Sequence, residues 1–306
     1  MQLPTLPDCS RTTQVSPYTQ VGGVSNGHDG AAMMELQSHN LYSVRSWAML
    51  QSALVATVAK ADCNSSHPVV LTLADRIQTS AVTLASQGSV QTLSPGAIVV
   101  PSSQVDWVHH GNTVYYLLPS ASGQVSIFNG NSSGDWGSIG VTERNQTVLR
   151  FSLKLNLTLP VTNAELGYVV LPAVSLADAA DAVKAFQAEL QLTLSATAGT
   201  ATYGHGHLAL ATMLSGGVAA LNSSFTLVCS DTCMLVLEQT GNSTWSLAVS
   251  STRPRVTVTL PSHVSCASNG SEEATQGRTE AGVVVVLPDG DFQGQTVMLK
   301  CIASTN

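Results

Sequence analysis

The feature that most constrains this chain is a repeated alternation of apolar and polar residues over short runs. In Val256-Thr-Val-Thr-Leu260, Val256, Val258 and Leu260 fall on one side and the two threonines on the other. That is the two-residue period of a half-buried strand. Strand-like runs recur at residues 99–116, 147–159, 191–196, 208–214, 224–228, 234–238, 245–249, 255–260 and 282–287. Gly, Pro, Asn and Ser separate them at intervals of roughly 8–14 residues, the spacing of an all-β sandwich. Gly111-Asn112 carries the residue types of a tight hairpin turn.

One segment breaks the pattern. Residues 175–190 are rich in alanine, the best helix former. Ser175 is placed to cap the helix start, with Asp178 three residues on as its partner. Leu176, Ala179, Ala180, Val183 and Phe186 fall at helical spacing, which predicts one connecting helix near 175–189. A lone helix between two β regions marks a domain junction. Two domains are therefore expected, residues 1–189 and 190–306, and the 306-residue length fits two at about 150 residues each.

Composition narrows the setting. Apolar residues make up 44% of the chain, enough for real cores and against disorder. Only 10% are charged, where about 25% is usual. A net charge of −7 without a Lys/Arg cluster argues against a nucleic-acid partner. Pure apolar stretches such as 283–287 fall far short of the roughly 20 residues of a membrane span, so no membrane partner is expected. The surface must be wetted by something other than charge, and 67 residues are Ser or Thr. Asn-x-Ser/Thr sites occur at Asn64, Asn131, Asn145, Asn156, Asn222, Asn242 and Asn269. In a eukaryotic source they read as glycosylation sites of a secreted protein.

The six cysteines fit an extracellular compartment. Cys229 and Cys233 flank a short Ser-Asp-Thr turn, Cys266 and Cys301 would close the last hairpins, and Cys9 and Cys63 remain as a third pair. Sequence alone does not choose among the pairings. Zinc is the competing reading, but His205-Gly-His207 has no cysteine nearby. Residues 1–7 lack the basic and apolar regions of a targeting signal, so a mature region or internal fragment is expected.

Chemistry-bearing constellations are sparse. His109 and His110 sit beside Asp106 and Trp107. A Ser-His-Asp arrangement would need a strained strand-to-helix turn of Gly-x-Ser-x-Gly type, and no such motif is expected in this chain. Gly22-Gly23 is not followed by a helix, so no phosphate-binding loop is read there. No catalytic residue, metal or cofactor is assigned. Trp47, Trp107, Trp136 and Trp245 are either core residues or platforms for sugar rings.

Several motifs, in order, resemble one family. Val21-Gly-Gly-Val24, Gly30-Ala-Ala-Met-Met-Glu-Leu36 and Arg45-Ser-Trp47 are similar to a Gly-Gly-Val turn, an Ala-Met-Asp/Glu strand and a Lys-Ser-Trp-Phe run. Leu71-Thr-Leu-Ala-Asp-Arg76, Val105-Asp-Trp-Val-His-His-Gly111 with Tyr115-Tyr116, Gly134-Asp-Trp136 with Ile139, and Leu166-Gly-Tyr-Val-Val-Leu-Pro172 continue the series. Trp245-Ser-Leu-Ala248 and Val256-Thr-Val-Thr-Leu260 look like the end of a C-terminal sandwich. Together they resemble the β domains of family 8 polysaccharide lyases, the hyaluronate, chondroitin and xanthan lyases. The pattern departs at Ala48, Gly140 and Asn156-Leu-Thr158.

The resemblance implies an antiparallel β supersandwich of galactose-mutarotase type over residues 1–189, then a smaller β-sandwich over 190–306. It also implies that catalysis belongs to a helical toroid, which nothing in this sequence resembles. The expected role is the non-catalytic β portion of such a lyase, with an acidic polysaccharide and a toroid as partners and an extracellular location. Arg45, Trp107, His109, His110 and Trp136 are the expected exposed sugar contacts. The other reading open at this point is a stand-alone secreted carbohydrate-binding or structural glycoprotein without enzyme activity.

Overall fold

The computed structural model describes residues 20–38, 40–63, 69–119, 123–135, 145–195, 198–204, 206–222, 225–253, 255–260, 264–268, 277–279, 282–287 and 294–303. The strands are, in order, β1 (Val21–Ser25), β2 (Gly30–Ser38), β3 (Leu41–Leu50), β4 (Ala53–Cys63), β5 (Val70–Ile77), β6 (Thr83–Ser86), β7 (Ser89–Thr92) and β8 (Gly96–Pro101). Next come β9 (Val105–His109), β10 (Thr113–Leu117), β11 (Gln124–Asp135), β12 (Asn145–Asn156) and β13 (Leu166–Pro172), then helix α1 (Ala179–Glu189). The remainder are β14 (Gln191–Ser195), β15 (Ala198–Tyr203), β16 (Leu208–Met213), β17 (Gly217–Asn222), β18 (Phe225–Cys229), β19 (Cys233–Gly241) and β20 (Thr244–Ser250). They end with β21 (Arg255–Thr259), β22 (Val264–Ser268), β23 (Gly277–Thr279), β24 (Gly282–Val286) and β25 (Val297–Ala303). This is the all-β architecture that the alternation predicts. Among the described residues no helix is long and apolar enough to cross a membrane.

The described residues form two compact units, one within Gln37–Tyr42 and Ala61–Lys184, the other within Tyr18–Leu36, Ser43–Lys60 and Ala185–Asn306. In the first, strands in the order β13-β10-β9-β6-β7 lie over the four-stranded sheet β5-β12-β11-β8. Alternate residues of β12, namely Phe151, Leu153 and Leu155, are fully buried, as are Val125 and Ile127 on β11. Tyr115 of β10 meets Phe151 across the layers, ring centroids 6.0 Å apart.

In the second unit the seven-stranded sheet β14-β15-β16-β19-β20-β25-β22 faces the five-stranded sheet β17-β18-β21-β24-β23. Val256, Val258 and Leu260 are buried in this core, on the face their period assigns. Strand β19 reads differently. Met234-Leu-Val-Leu237 is apolar throughout because both of its faces are buried. Leu235 and Leu237 enter the core shared with the five-stranded sheet. On the other side, the Met234 side chain lies where a Cβ at Gly22 would come within 2.7 Å. Val21-Gly-Gly-Val24 is therefore strand β1 and not a turn, and Gly22 permits its close approach.

The Ser175–Asp178 cap forms, but it closes a turn over 176–178, and helix α1 starts only at Ala179. Ser175 Oγ donates to Asp178 Oδ2 at 2.6 Å, and the Asp178 N–H donates back to Ser175 Oγ at 3.3 Å. Ala179, Val183 and Phe186 are buried, whereas Leu176 and Ala180 are exposed. The buried stripe is narrower than the helical spacing predicts, because Leu176 lies in the turn before the helix. Two disulfides are present among the described residues, Cys229–Cys233 and Cys266–Cys301. Cys63 is buried at the end of β4, and its expected partner Cys9 lies outside the described residues.

Candidate functional site

A group of chemistry-bearing side chains gathers at the β9–β10 hairpin. Gly111 and Asn112 both adopt positive φ, +58° and +54°. His110 and Thr113 exchange backbone hydrogen bonds at 3.0 and 3.1 Å, closing a two-residue turn of the type that suits a twisted hairpin. A side chain such as valine would resist that backbone, whereas Gly and Asn accept it.

Alternation then sends the two histidines opposite ways. His110 packs on Phe151 with ring centroids 4.4 Å apart and is wholly buried. Arg76 Nε points at its Nδ1 from 3.3 Å, and the Thr79 N–H points at its Nε2 from 3.1 Å. Arg76 Nη2 also donates to the His110 carbonyl at 3.0 Å, and the Gly111 N–H donates to Ser80 Oγ at 2.9 Å. A neutral imidazole has one lone pair to offer these two donors, and an imidazolium has none. Burial first, then the charge of Arg76 and the neighbouring His109, push the His110 pKa down to about 4. The ring is therefore neutral at neutral pH and held by fixed donors, an arrangement that anchors a hairpin and does not shuttle protons.

His109 is buried as well, with Nε2 3.0 Å from the Val174 carbonyl. A carbonyl only accepts, so Nε2 carries the proton. Trp107, two residues earlier on the same face of β9, is 6% exposed. The expectation that Trp107, His109 and His110 present themselves to solvent is thus corrected: from Trp107 to His110 the side chains on both sides of the strand are buried. Arg45 is half-buried on β3. Trp136 lies outside the described residues.

A second polar group, unanticipated from the sequence, lies on the outer face of the four-stranded sheet. Arg150 of β12 forms a two-point ion pair with Asp75 of β5, one arm being Nε to Oδ1 at 2.7 Å. Hydrogen bonds from Arg150 hold the Asp75 carboxyl below its usual range against the opposing effect of burial, helped by the charges of Arg150 and Lys154. The signal available was the alternation of Arg150, Ser152 and Lys154, but only strand pairing places Asp75 opposite Ser152 and diagonal to Arg150. The Tyr116 hydroxyl is buried without a hydrogen-bond partner, and burial raises its pKa.

Against the expectation that the chain holds no such motif, a Gly-x-Ser-x-Gly spacing occurs at Gly130-Asn-Ser-Ser-Gly134. It lies inside strand β11, where Ser132 pairs in register with Val148. A nucleophile elbow needs a strand-to-helix turn, so this stretch is not one. Among the described residues no cluster of three or more His, Cys, Asp or Glu could hold a metal ion.

Two stacked antiparallel layers, with the quoted strand motifs in order along them, set the context for comparison. Residues 1–183 match the polysaccharide lyase family 8 super-sandwich domain. The chain belongs to polysaccharide lyase family 8. Its fold matches that of other family 8 lyases. A chondroitinase AC lyase studied in oligosaccharide complexes superposes with a TM-score of 0.74 at 16% identity, over 91% of this chain and 39% of that one. The Streptomyces coelicolor A3 chondroitin AC lyase in complex with chondroitin sulphate gives 0.69 at 19% identity, over 93% and 36%. Paenibacillus xanthan lyase gives 0.73 at 14% identity, over 97% and 30%. The chain thus spans 30–39% of the length of these enzymes. No curated protein matches it in sequence. Within the family frame, Arg45-Ser-Trp47 falls on β3, Leu71–Arg76 on β5, Val105–Gly111 on β9 and its turn, and Leu166–Pro172 on β13.

Proposed function

We propose that this chain is the non-catalytic β portion of a family 8 lyase-like protein, and that it supports binding and β-elimination of an acidic polysaccharide of glycosaminoglycan or xanthan type. A helical toroid supplies the chemistry. The observation that carries this reading is the inward setting of His109 and His110, the nearest approach to an acid–base pair among the described residues: fixed donors hold the His110 ring, and the Val174 carbonyl holds His109. Elimination needs a base and a carboxylate-neutralising group preorganised around one sugar, and these two rings face the protein interior. The chondroitin sulphate and oligosaccharide complexes of the similar enzymes support the acidic substrate class. With a net charge of −7, attraction must come from local cations and not from the overall field. Arg45 and Trp136 are the proposed sugar contacts, with Trp107, His109 and His110 packed behind the surface.

The proposed division is residues 1–189 as supersandwich and 190–306 as C-terminal sandwich, in an extracellular setting that the two disulfides favour. The exposed sequon asparagines favour a second reading, a stand-alone secreted carbohydrate-binding or structural glycoprotein. The test incubates the full chain with chondroitin sulphate, hyaluronan and xanthan. It follows both ultraviolet absorbance of the unsaturated product and binding by affinity electrophoresis. The expected result is salt-sensitive binding without turnover. Turnover by the chain alone overturns the non-catalytic role, and absence of binding at millimolar sugar overturns the polysaccharide role.

A further inference from the structure

We propose that the exposed end of the β11–β12 ribbon is a paired N-glycosylation site, with Asn131 and Asn145 as its two acceptors. The inference rests on the extracellular setting proposed above and is independent of polysaccharide handling. Two sequons, Asn131-Ser-Ser133 and Asn145-Gln-Thr147, run antiparallel to one another on adjacent strands. The register pairs Asn131 with Leu149, Ser133 with Thr147, and Asp135 with Asn145. By the two-residue period, Asn131, Ser133, Asn145, Thr147 and Leu149 share one face of the ribbon. The two sequon hydroxyls, Ser133 Oγ and Thr147 Oγ1, are hydrogen-bonded to each other at 2.7 Å. Both asparagines are exposed. They stand four residues apart along the ribbon, about 14 Å at about 3.4 Å per residue, which leaves room for a glycan on each.

What the glycans cover is also on this face. Leu149, directly opposite Asn131, is 52% exposed. A sugar ring on Asn131 lays its apolar face over that side chain and turns its hydroxyls to water. Asn156-Leu-Thr158 is the contrast. Asn156 Nδ2 donates to the Gln124 carbonyl at 3.3 Å and to Ser126 Oγ at 2.5 Å. Both amide hydrogens are engaged in tying the end of β12 to the start of β11, and glycosylation would remove one of them.

In the modification itself, the asparagine amide nitrogen bonds to the anomeric carbon of a lipid-pyrophosphate-linked oligosaccharide. The carbon–oxygen bond to the pyrophosphate breaks, the pyrophosphate leaves with that electron pair, and the nitrogen gives up one proton. Nothing is oxidised or reduced.

The experiment secretes the full chain from a eukaryotic host and maps glycopeptides after deglycosylation in heavy-oxygen water. N131Q and N145Q should each remove one glycan, and N156Q should remove none. The double variant N131Q/N145Q should lower soluble yield several-fold, and adding L149S should restore it. An unmodified Asn131 or Asn145, or a glycan on Asn156, overturns the assignment. Unchanged yield in the double variant overturns the covering of Leu149. Missing glycans with polysaccharide binding intact overturn this inference alone, whereas lost binding with both glycans in place overturns only the polysaccharide reading.

Discussion

Arg76 grips His110 at two points, donating from Nη2 to the backbone carbonyl at 3.0 Å and directing Nε at ring Nδ1 from 3.3 Å. The two residues lie 34 positions apart, and the guanidinium joins the end of β5 to the β9–β10 turn. Its fork geometry is what makes both contacts from one side chain. Arg76→Ala should destabilise the protein by about 1.5–3 kcal/mol, the usual range for losing a charged hydrogen-bond donor. Arg76→Lys should recover less than half of that, since an ammonium cannot reach ring and carbonyl together. Urea denaturation measures both, and a lysine variant as stable as wild type would remove the anchoring role.

His110 also makes stability depend on pH. Its pKa is about 4 in the folded protein and 6.5 when unperturbed. Between those values the unfolded chain binds a proton that the folded chain refuses. The His110 contribution is therefore complete above pH 6.5 and declines as pH falls toward 4, by at most about 1.4 kcal/mol per pH unit. Denaturation curves at intervals from pH 7.5 to 4.5 should show this slope, and His110→Phe should flatten it. An unchanged slope in that variant would assign the effect to another group.

Trp107 and Trp136 should separate by role. Trp107→Ala opens a cavity in a buried site and should cost about 3–5 kcal/mol. Trp136→Ala should leave the thermal melt unchanged and weaken acidic polysaccharide binding by about 1–2 kcal/mol, the scale of a sugar or cation contact to an aromatic face. Calorimetry with and without polysaccharide reads both. A melt unchanged by Trp107→Ala would contradict its place in the core.

Gly123, immediately before β11, has φ +144°, and a Cβ there would stand 2.3 Å from the Asn156 carbonyl oxygen. That oxygen belongs to backbone and cannot rotate away. Gly123→Ala should cost about 1–3 kcal/mol from the disfavoured backbone angle, with the clash adding to it. Equal denaturation midpoints for variant and wild type would show that the strand start can shift.

The Cys266–Cys301 bridge joins β22 to β25 at directly paired positions, 35 residues apart in sequence. Replacing both cysteines with serine should cost about 2–4 kcal/mol, because the unfolded chain regains the freedom of that loop. Non-reducing peptide mapping of secreted protein should find this pair and Cys229–Cys233. Free thiols at these four positions in folded protein would refute the pairing.

What the sequence settled by itself was local. The period of Val256–Leu260, the two-residue turn at Gly111-Asn112, and the hydrogen bonds between Ser175 and Asp178 need only neighbouring residues, and each forms, although the helix itself starts at Ala179. The ordered motifs carried the family because they sit on strands whose sequence is tied to that local geometry. What only the tertiary structure decided was which faces are wet. Alternation puts His109 and His110 on opposite sides of β9, yet it cannot tell that Phe151, 41 residues beyond His110, covers one of them. The same blindness left Trp107 as an expected surface residue, and it assigned Leu176 and Ala180 to a buried helix face. It hid the Arg150–Asp75 pair, whose partners meet only through the register of β5 and β12. Burial is a property of pairs distant in sequence, so a pattern of near neighbours fixes the direction of a side chain and not what it meets.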